Sequence, residues 1–134
     1  MNLYRKAALA VVACALIVSF GCASIATCKA PRLNGCALAA SGDTIEHINA
    51  RCTGWYLLFI PLLTGDTVGQ GWIPLVLTDT VTVDEVGAML TAQAKRDGAS
   101  KVVDLYSSRM SAPAPLIPLL FSFDMVQMSG NAIK

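Results

Sequence analysis

The sequence predicts an α+β domain, in which a small and mostly antiparallel sheet is covered by one amphipathic helix. Three observations predict this fold class. Apolar segments rich in β-branched and aromatic residues, which favour strands, lie both before and after the middle of the chain. One segment between them has helical periodicity. The order strands, helix, strands lacks the regular alternation that builds a parallel sheet.

The predicted helix spans residues 83–97 and begins with a capping box. Thr82 and Glu85 stand three residues apart, so the Thr hydroxyl is expected to accept from the backbone N–H of Glu85. Acidic residues begin the segment and basic residues end it, and both suit the helix dipole. Gly98 is placed to end the helix. The face predicted to be buried consists of Val83, Val86, Leu90 and Ala94, with Met89 beside it.

Two strands are predicted before the helix. Residues 44–52 alternate, and a short helix after residue 43 is the competing interpretation. Residues 55–60 are aromatic and apolar, and Pro61 is expected to end that strand. Residues 62–71 predict a turn-rich connection. If the first segment is a strand, one of its faces carries Thr44, Glu46, Ile48, Ala50 and Cys52.

The segment after the helix predicts two further strands, at residues 101–106 and 119–133. Three prolines between residues 111 and 118 remove backbone donors and predict a loop or an edge strand there. In the last strand, Phe121, Phe123 and Met125 alternate with polar residues, and a slip of this alternation at residues 126–128 predicts a bulge. Residues 112–121 are too apolar for a free loop. They are therefore expected to pack on their own domain, on a partner or against lipid.

The first 22 residues have the pattern of a secretory signal. Arg5 and Lys6 form a basic start, residues 7–20 are an uncharged apolar run, and Gly21 is a small residue at the cut site. Cys22 then resembles the cysteine of a bacterial lipobox, whose sulfur receives a diacylglycerol and which becomes the new N-terminus. Residues 19 and 20 depart from the Leu and small residue of that motif. The prediction is a lipoprotein signal peptide at 1–21 and lipidation at Cys22.

Two alternatives to this processing follow from the same segment. Plain secretory cleavage could fall after Ala23 or Ala26, and residues 7–27 are also long enough to serve as an uncleaved anchor. In each case the basic start stays cytoplasmic and the remainder is exported. Ala23 rather than Asp after Cys22 resembles the outer-membrane signal of enteric lipoproteins. We expect a lipidated flexible tether at 22–43 and a single domain at 44–134, on the periplasmic face of the outer membrane.

The charge and the cysteine content further narrow the class of protein that the sequence indicates. The chain has 10 Lys and Arg and 9 Asp and Glu, and two of the basic residues lie in the signal segment, so the exported part is close to neutral. No basic patch points to nucleic acid. Cys28, Cys36 and Cys52 remain beyond the lipid site, an odd number in an oxidising compartment. Cys28–Cys36 and Cys36–Cys52 are both open as bridges, and one thiol stays free or pairs outside the chain.

Short motifs resemble the TRL-like family of small bacterial lipoproteins of uncharacterised function. They are Cys22, the apolar strand that reaches Ile60-Pro61 and precedes Gly65-Asp66, and the helix end that runs into Asp97-Gly-Ala-Ser-Lys-Val-Val-Asp104. The proline-rich stretch at 111–118 departs from the short connections of that family. The resemblance implies a small envelope lipoprotein and brings no catalytic residues.

The sequence contains no recognisable catalytic set. His47 is the only histidine, no Gly-x-Ser-x-Gly elbow accompanies it, and its spacing from Cys36 and Cys52 matches no usual zinc site. We therefore expect a non-enzymatic lipoprotein without cofactor or metal, anchored to the membrane, that contacts an envelope protein or itself. The alternative is a periplasmic small-ligand or metal-binding carrier that uses Trp55, Trp72 or the cysteines.

Overall fold

The computed structural model describes residues 22–29, 43–69, 74–113 and 120–134, together with Tyr4. These residues form one antiparallel sheet and one helix, which confirms the predicted fold class. The elements in chain order are β1 (Ala23–Lys29), β2 (Thr44–Leu57), β3 (Ile60–Thr64), β4 (Leu75–Val76), α1 (Val83–Arg96), β5 (Lys101–Pro113) and β6 (Phe121–Ile133).

The sheet is built around the long strand β2. Its strand order is β4-β3-β2-β6-β5, and β1 also pairs with β2. β1 and β3 lie one after the other along the same edge of β2, since Ala23 pairs with Cys52 whereas Thr64 pairs with Gly54. On the opposite edge, β6 pairs with β2 along nearly its whole length. The start of β1 and the end of β3 therefore meet at the middle of β2.

The prediction of a flexible tether at residues 22–43 is wrong for residues 23–29. Residues 23–29 form β1, whose register with β2 is continuous from Ala23 to Lys29. Ala23 is only 6% exposed and belongs to the hydrophobic core, with Ile25 packed against it. Small residues concealed this strand in the sequence, because they carry little apolar signal. The domain thus includes residues before the expected boundary at 44, and residues 30–42 lie outside the described part.

The two strands predicted before the helix are one strand, which continues through Gly54 to Leu57. A two-residue turn at Leu58 and Phe59 follows, and the chain returns as β3. Pro61 does not end a strand but lies within β3, opposite Tyr56. The register of β2 and β3 shifts between Trp55 and Tyr56, next to this proline, and such an irregularity accommodates the missing donor.

The bounds of helix α1 agree with the predicted bounds to within one residue. It begins after Thr82, whose hydroxyl oxygen accepts from the backbone N–H of Glu85 at 3.2 Å. Gly98 follows the C-cap in the left-handed region, with φ of 80°. Leu90 lies at the centre of the buried helical face, whereas Val83 is 45% exposed. The residues of α1 that enter the core are Val86, Met89, Leu90 and Ala94.

The two ends of α1 give a first test of the fold. We expect Thr82→Ala to lower the free energy of unfolding by about 1 kcal/mol, because the cap bond to Glu85 is lost. Gly98→Val should destabilise the domain although space is open there, because a β-branched residue resists a φ of 80°. Urea denaturation of both variants measures these losses, and two unchanged midpoints would contradict the helix boundaries.

The sheet has two different faces. Side chains at even positions of β2 and β6 lie under α1, where Ile48, Ala50, Cys52, Val126 and Met128 form the core. Odd positions lie on the opposite side, which we call the open face because no described helix packs on it. Phe121, Phe123 and Met125 of β6 lie there, paired with odd positions of β2.

The prediction of a bulge at residues 126–128 is wrong. The pairing of β6 with β2 is continuous there, and the register breaks lie elsewhere, next to Thr44 in β2 and between Val103 and Tyr106 in β5. The apparent slip arises because the apolar residues at the start of β6 belong to the open face and the later ones to the core. The prediction of an edge strand is confirmed at 111–113, where β5 is the last strand of the sheet, and residues 114–119 lie outside the described part.

Candidate lipid-attachment site

Cys22 lies at the point where β1 and β3 meet along β2. Its side chain is exposed, and β1 begins at the next residue. Its backbone is held by Thr53 through three hydrogen bonds. The Cys22 N–H donates to Thr53 Oγ1 at 3.1 Å, and its carbonyl accepts from the backbone N–H and the hydroxyl of Thr53, both at 3.0 Å. The backbone is therefore fixed while the sulfur is accessible.

Gly65 closes the other side of this junction. A Cβ built on Gly65 would lie 2.4 Å from the backbone nitrogen of Ala23 and 2.5 Å from the carbonyl carbon of Cys22. No heavier residue fits without moving the backbone of β1. The Gly65 N–H donates to the carbonyl of Thr53 at 3.1 Å, so Thr53 links both chain segments. This close approach is the physical reason for a glycine at position 65.

A second layer under the junction involves Cys52 and Thr80. The Thr80 hydroxyl donates to the carbonyl of Gly65 at 2.6 Å, and the Cys52 thiol lies 3.7 Å from the same oxygen. Cys52 is fully buried, and burial raises the pKa of its thiol. A buried thiol of this kind is chemically inert. The reactive sulfur at the junction is therefore that of Cys22.

The geometry of Cys22 is compatible with acylation at both of its atoms that are modified in lipoproteins. A thioether on the exposed sulfur needs no rearrangement of the sheet. Acylation of the α-nitrogen converts an amine to an amide, which keeps one N–H. The hydrogen bond to Thr53 Oγ1 can therefore persist after processing.

Exposed apolar side chains cluster at the end of the sheet above this junction. Leu58 and Phe59 form the β2–β3 turn, and Phe59 is 83% exposed. The backbone N–H of Leu58 donates to the carbonyl of Leu120 at 2.6 Å, which brings Leu120 to the same place. We call Leu58, Phe59, Ile60 and Leu120 the apolar end. Of the expected contact segment 112–121, only its flanks are described, and Leu120 is exposed.

The residues considered for a carrier site do not come together. His47 and Trp55 lie on the open face eight positions apart in β2, which is about 26 Å in a strand. His47 and buried Cys52 lie on opposite faces, so they cannot share a metal ion. Trp72 and Cys36 lie outside the described residues. Within the described ranges, no group of three or more His, Cys, Asp or Glu could hold a metal ion.

Glu46 has a raised pKa that the sequence did not suggest. It is 1% exposed, at the core edge between Lys29 of β1 and Asp97 after α1. Burial, a hydrogen bond with Asp97 and the charge of Asp97 raise the pKa of Glu46 to about 7, against a weaker opposing effect of Lys29 and Thr27. The same hydrogen bond lowers the pKa of Asp97. Glu46 therefore holds the shared proton, and Asp97 is the carboxylate.

Glu46 should make the domain less stable as the pH rises from about 4.5 to 7. The folded state holds the Glu46 proton more tightly than the unfolded chain, so its contribution is complete below pH 4.5 and is lost above pH 7. We expect Glu46→Gln to be more stable than the parent at pH 8 by on the order of 2 kcal/mol, and not at pH 4. Urea unfolding at both pH values measures this, and an equal difference at the two would contradict it.

Among the described residues, none of the helical segments is long and apolar enough to cross a membrane. A scan of protein-family models gives no match, and searches of curated proteins and of solved structures find none either.

Proposed function

We propose that this chain is a bacterial cell-envelope lipoprotein, non-enzymatic, anchored to the membrane by an acylated Cys22 and acting through contacts with another envelope protein or with itself. One observation carries the proposal. The first described strand begins at Ala23, directly after the cysteine that ends the signal pattern. Processing before Cys22 would release a chain that still contains every described strand.

The position of β1 argues against the other cleavage sites. Cleavage after Ala26 would remove Ala23 and Ile25, which belong to or pack against the core, together with Cys22, whose backbone is bound to Thr53. Cleavage after Ala23 would also remove the bonds to Thr53. Of the three cleavage sites considered, only the one before Cys22 preserves the junction with Gly65.

The absence of a spacer between Cys22 and the sheet has a consequence for how the domain sits on the membrane. Acyl chains on Cys22 would start at the sheet itself, level with Thr53. The apolar end begins about four residues farther along β2, a distance of about 13 Å. An anchored domain would therefore lie against the bilayer surface, with its contact surface close to the membrane. Ala23 after Cys22 resembles the outer-membrane signal of enteric lipoproteins and favours the periplasmic face of the outer membrane as the place of anchoring.

The experiment that tests the proposal is Cys22→Ser in the full chain, expressed in a bacterium that acylates lipoproteins. We expect the parent to incorporate radiolabelled palmitate and to fractionate with membranes, because several acyl chains together give stable anchoring. The variant should incorporate no label and leave the membrane fraction or accumulate unprocessed. Cys28→Ser is the matched control, since Cys28 is a second accessible cysteine, and it should behave as the parent.

Two results would contradict the proposal. A parent that takes no label while Cys22→Ser stays membrane-bound would indicate an uncleaved anchor. Label that is lost in Cys28→Ser instead would place the modification at the wrong cysteine.

A further inference from the structure

On the open face, far from the apolar end, a thiol, an imidazole and an amide lie side by side on three neighbouring strands. We propose that Cys28 is a nucleophilic thiol that exchanges with an accessible disulfide of a partner, with His47 as the proton acceptor and Asn131 and Asp104 as positioning residues. The inference goes beyond the anchoring role and does not depend on acylation of Cys22.

The strand register places Cys28 next to His47. The two residues are directly opposite each other in the antiparallel pair of β1 and β2, so their side chains share the open face. Cβ atoms of such pairs are about 4.5–5.5 Å apart, so a rotation about the Cα–Cβ bond brings the sulfur within reach of the ring. Both side chains are half-buried, so each keeps part of its surface accessible.

A chain of hydrogen bonds orients the imidazole. Asn131 lies opposite His47 on β6, and its Oδ1 is 2.7 Å from His47 Nδ1. The amide nitrogen of Asn131 donates to Asp104 Oδ2 at 3.0 Å, and a carboxylate can only accept, so the Asn131 oxygen must be the atom that faces His47. His47 Nδ1 therefore carries the proton. In the neutral ring, Nε2 is the nitrogen that can take a proton from Cys28.

An irregular backbone conformation at Asp104 supports the view that the fold holds these side chains in place. Asp104 has a φ of 54°, in the left-handed region that few residues other than glycine adopt, and it lies in the register break of β5. Such strained positions cluster where a side chain must be held in place. The break directs Asp104 to Asn131, which is itself only 6% exposed.

The proposed reaction is a balanced thiol–disulfide exchange. The Cys28 proton passes to His47 Nε2, and the thiolate attacks one sulfur of the partner disulfide. A new bond forms between Cys28 and that sulfur while the partner's S–S bond breaks. The second sulfur leaves as a thiolate and takes the proton from His47. The product is a mixed disulfide, and no further oxidant or reductant is needed.

The test uses the purified full chain and dithiobis(nitrobenzoic acid) as the disulfide probe. Peptide mass mapping gives the rate at Cys28 apart from the other cysteines, with buried Cys52 as an internal slow reference. We expect His47→Gln to lower the rate at Cys28 at pH 7 by about ten-fold, because no base takes the thiol proton. Asn49→Gln, two residues away on the same face and strand, should leave the rate unchanged.

Chemical rescue distinguishes activation of the Cys28 thiol by His47 from a merely structural role of His47. Imidazole added to His47→Gly should restore part of the rate at Cys28, whereas a merely structural role of His47 would give no rescue. Equal rates in the parent and His47→Gln would overturn the proposal. So would mapping that finds Cys28 of the purified parent fully bridged to Cys36, because no free thiol would then remain for a partner.

Discussion

Replacing Gly65 with alanine is expected to lower the free energy of unfolding by about 2–3 kcal/mol. The added Cβ would lie 2.4 Å from the nitrogen of Ala23, and the other atoms that it meets are backbone atoms of Cys22, directly before β1. A flexible side chain could turn away, but a strand that is paired with β2 cannot. The carbonyl of Gly65, which accepts from Thr80, also restricts movement on the other side. Urea denaturation followed by circular dichroism measures the loss.

The matched control is Gly87→Ala in helix α1. A Cβ there would lie 3.5 Å from the sulfur of Met128, an ordinary contact. Glycine within a helix costs up to about 1 kcal/mol relative to alanine, so this variant should be neutral or more stable than the parent. Similar stability changes in the two variants would contradict the close approach of Gly65 to Cys22.

Leu90→Ala is expected to cost about 3 kcal/mol, the typical effect of emptying a well-packed core position. Leu90 is 1% exposed and lies at the centre of the face that α1 packs on the sheet. Val83, which the helical pattern also assigned to that face, is 45% exposed. Val83→Ala should therefore stay within about 0.5 kcal/mol of the parent. Equal losses at the two positions would mean that the helix packs with a different rotation.

The elements that could be predicted from the sequence are those in which local signals agree. Helix α1 combines a capping Thr82, a terminal Gly98 and an apolar face at helical spacing, and its boundaries are confirmed within one residue. Val83, the first residue of α1, is the exception, because it is 45% exposed whereas Val86, three residues later, is fully buried. The alternation of residues 44–52 likewise identified the buried face of β2.

The parts that could not be predicted depend on long-range pairing. β1 consists largely of small residues and is a strand because β2 offers it a free edge. β3 exists because the chain turns at Leu58 and Phe59, two apolar residues that carry no turn signal. Asp104 and Asn131 are 27 positions apart, and the pairing of β5 with β6 brings them together. The pairing of β6 with β2 then places Asn131 opposite His47.

The sequence predicted which residue forms the candidate lipid-attachment site, but not the contacts that surround that residue. The signal pattern identified Cys22, and no sequence signal indicated that Thr53 and Gly65 would hold its backbone in the sheet. The hydroxyl of Thr53 and the missing side chain of Gly65 have meaning only once β1 and β3 meet. Their positions also show that Cys22 directly precedes the sheet, where a spacer was expected.

The mass of the N-terminal peptide of the protein extracted from bacterial membranes shows whether Cys22 is the lipidated N-terminus. We expect a peptide that begins at Cys22 and carries a diacylglycerol on sulfur and an acyl chain on nitrogen. A membrane-extracted protein whose N-terminal peptide begins at Met1, at Ser24 or at Thr27, or begins at Cys22 without lipid, would contradict it.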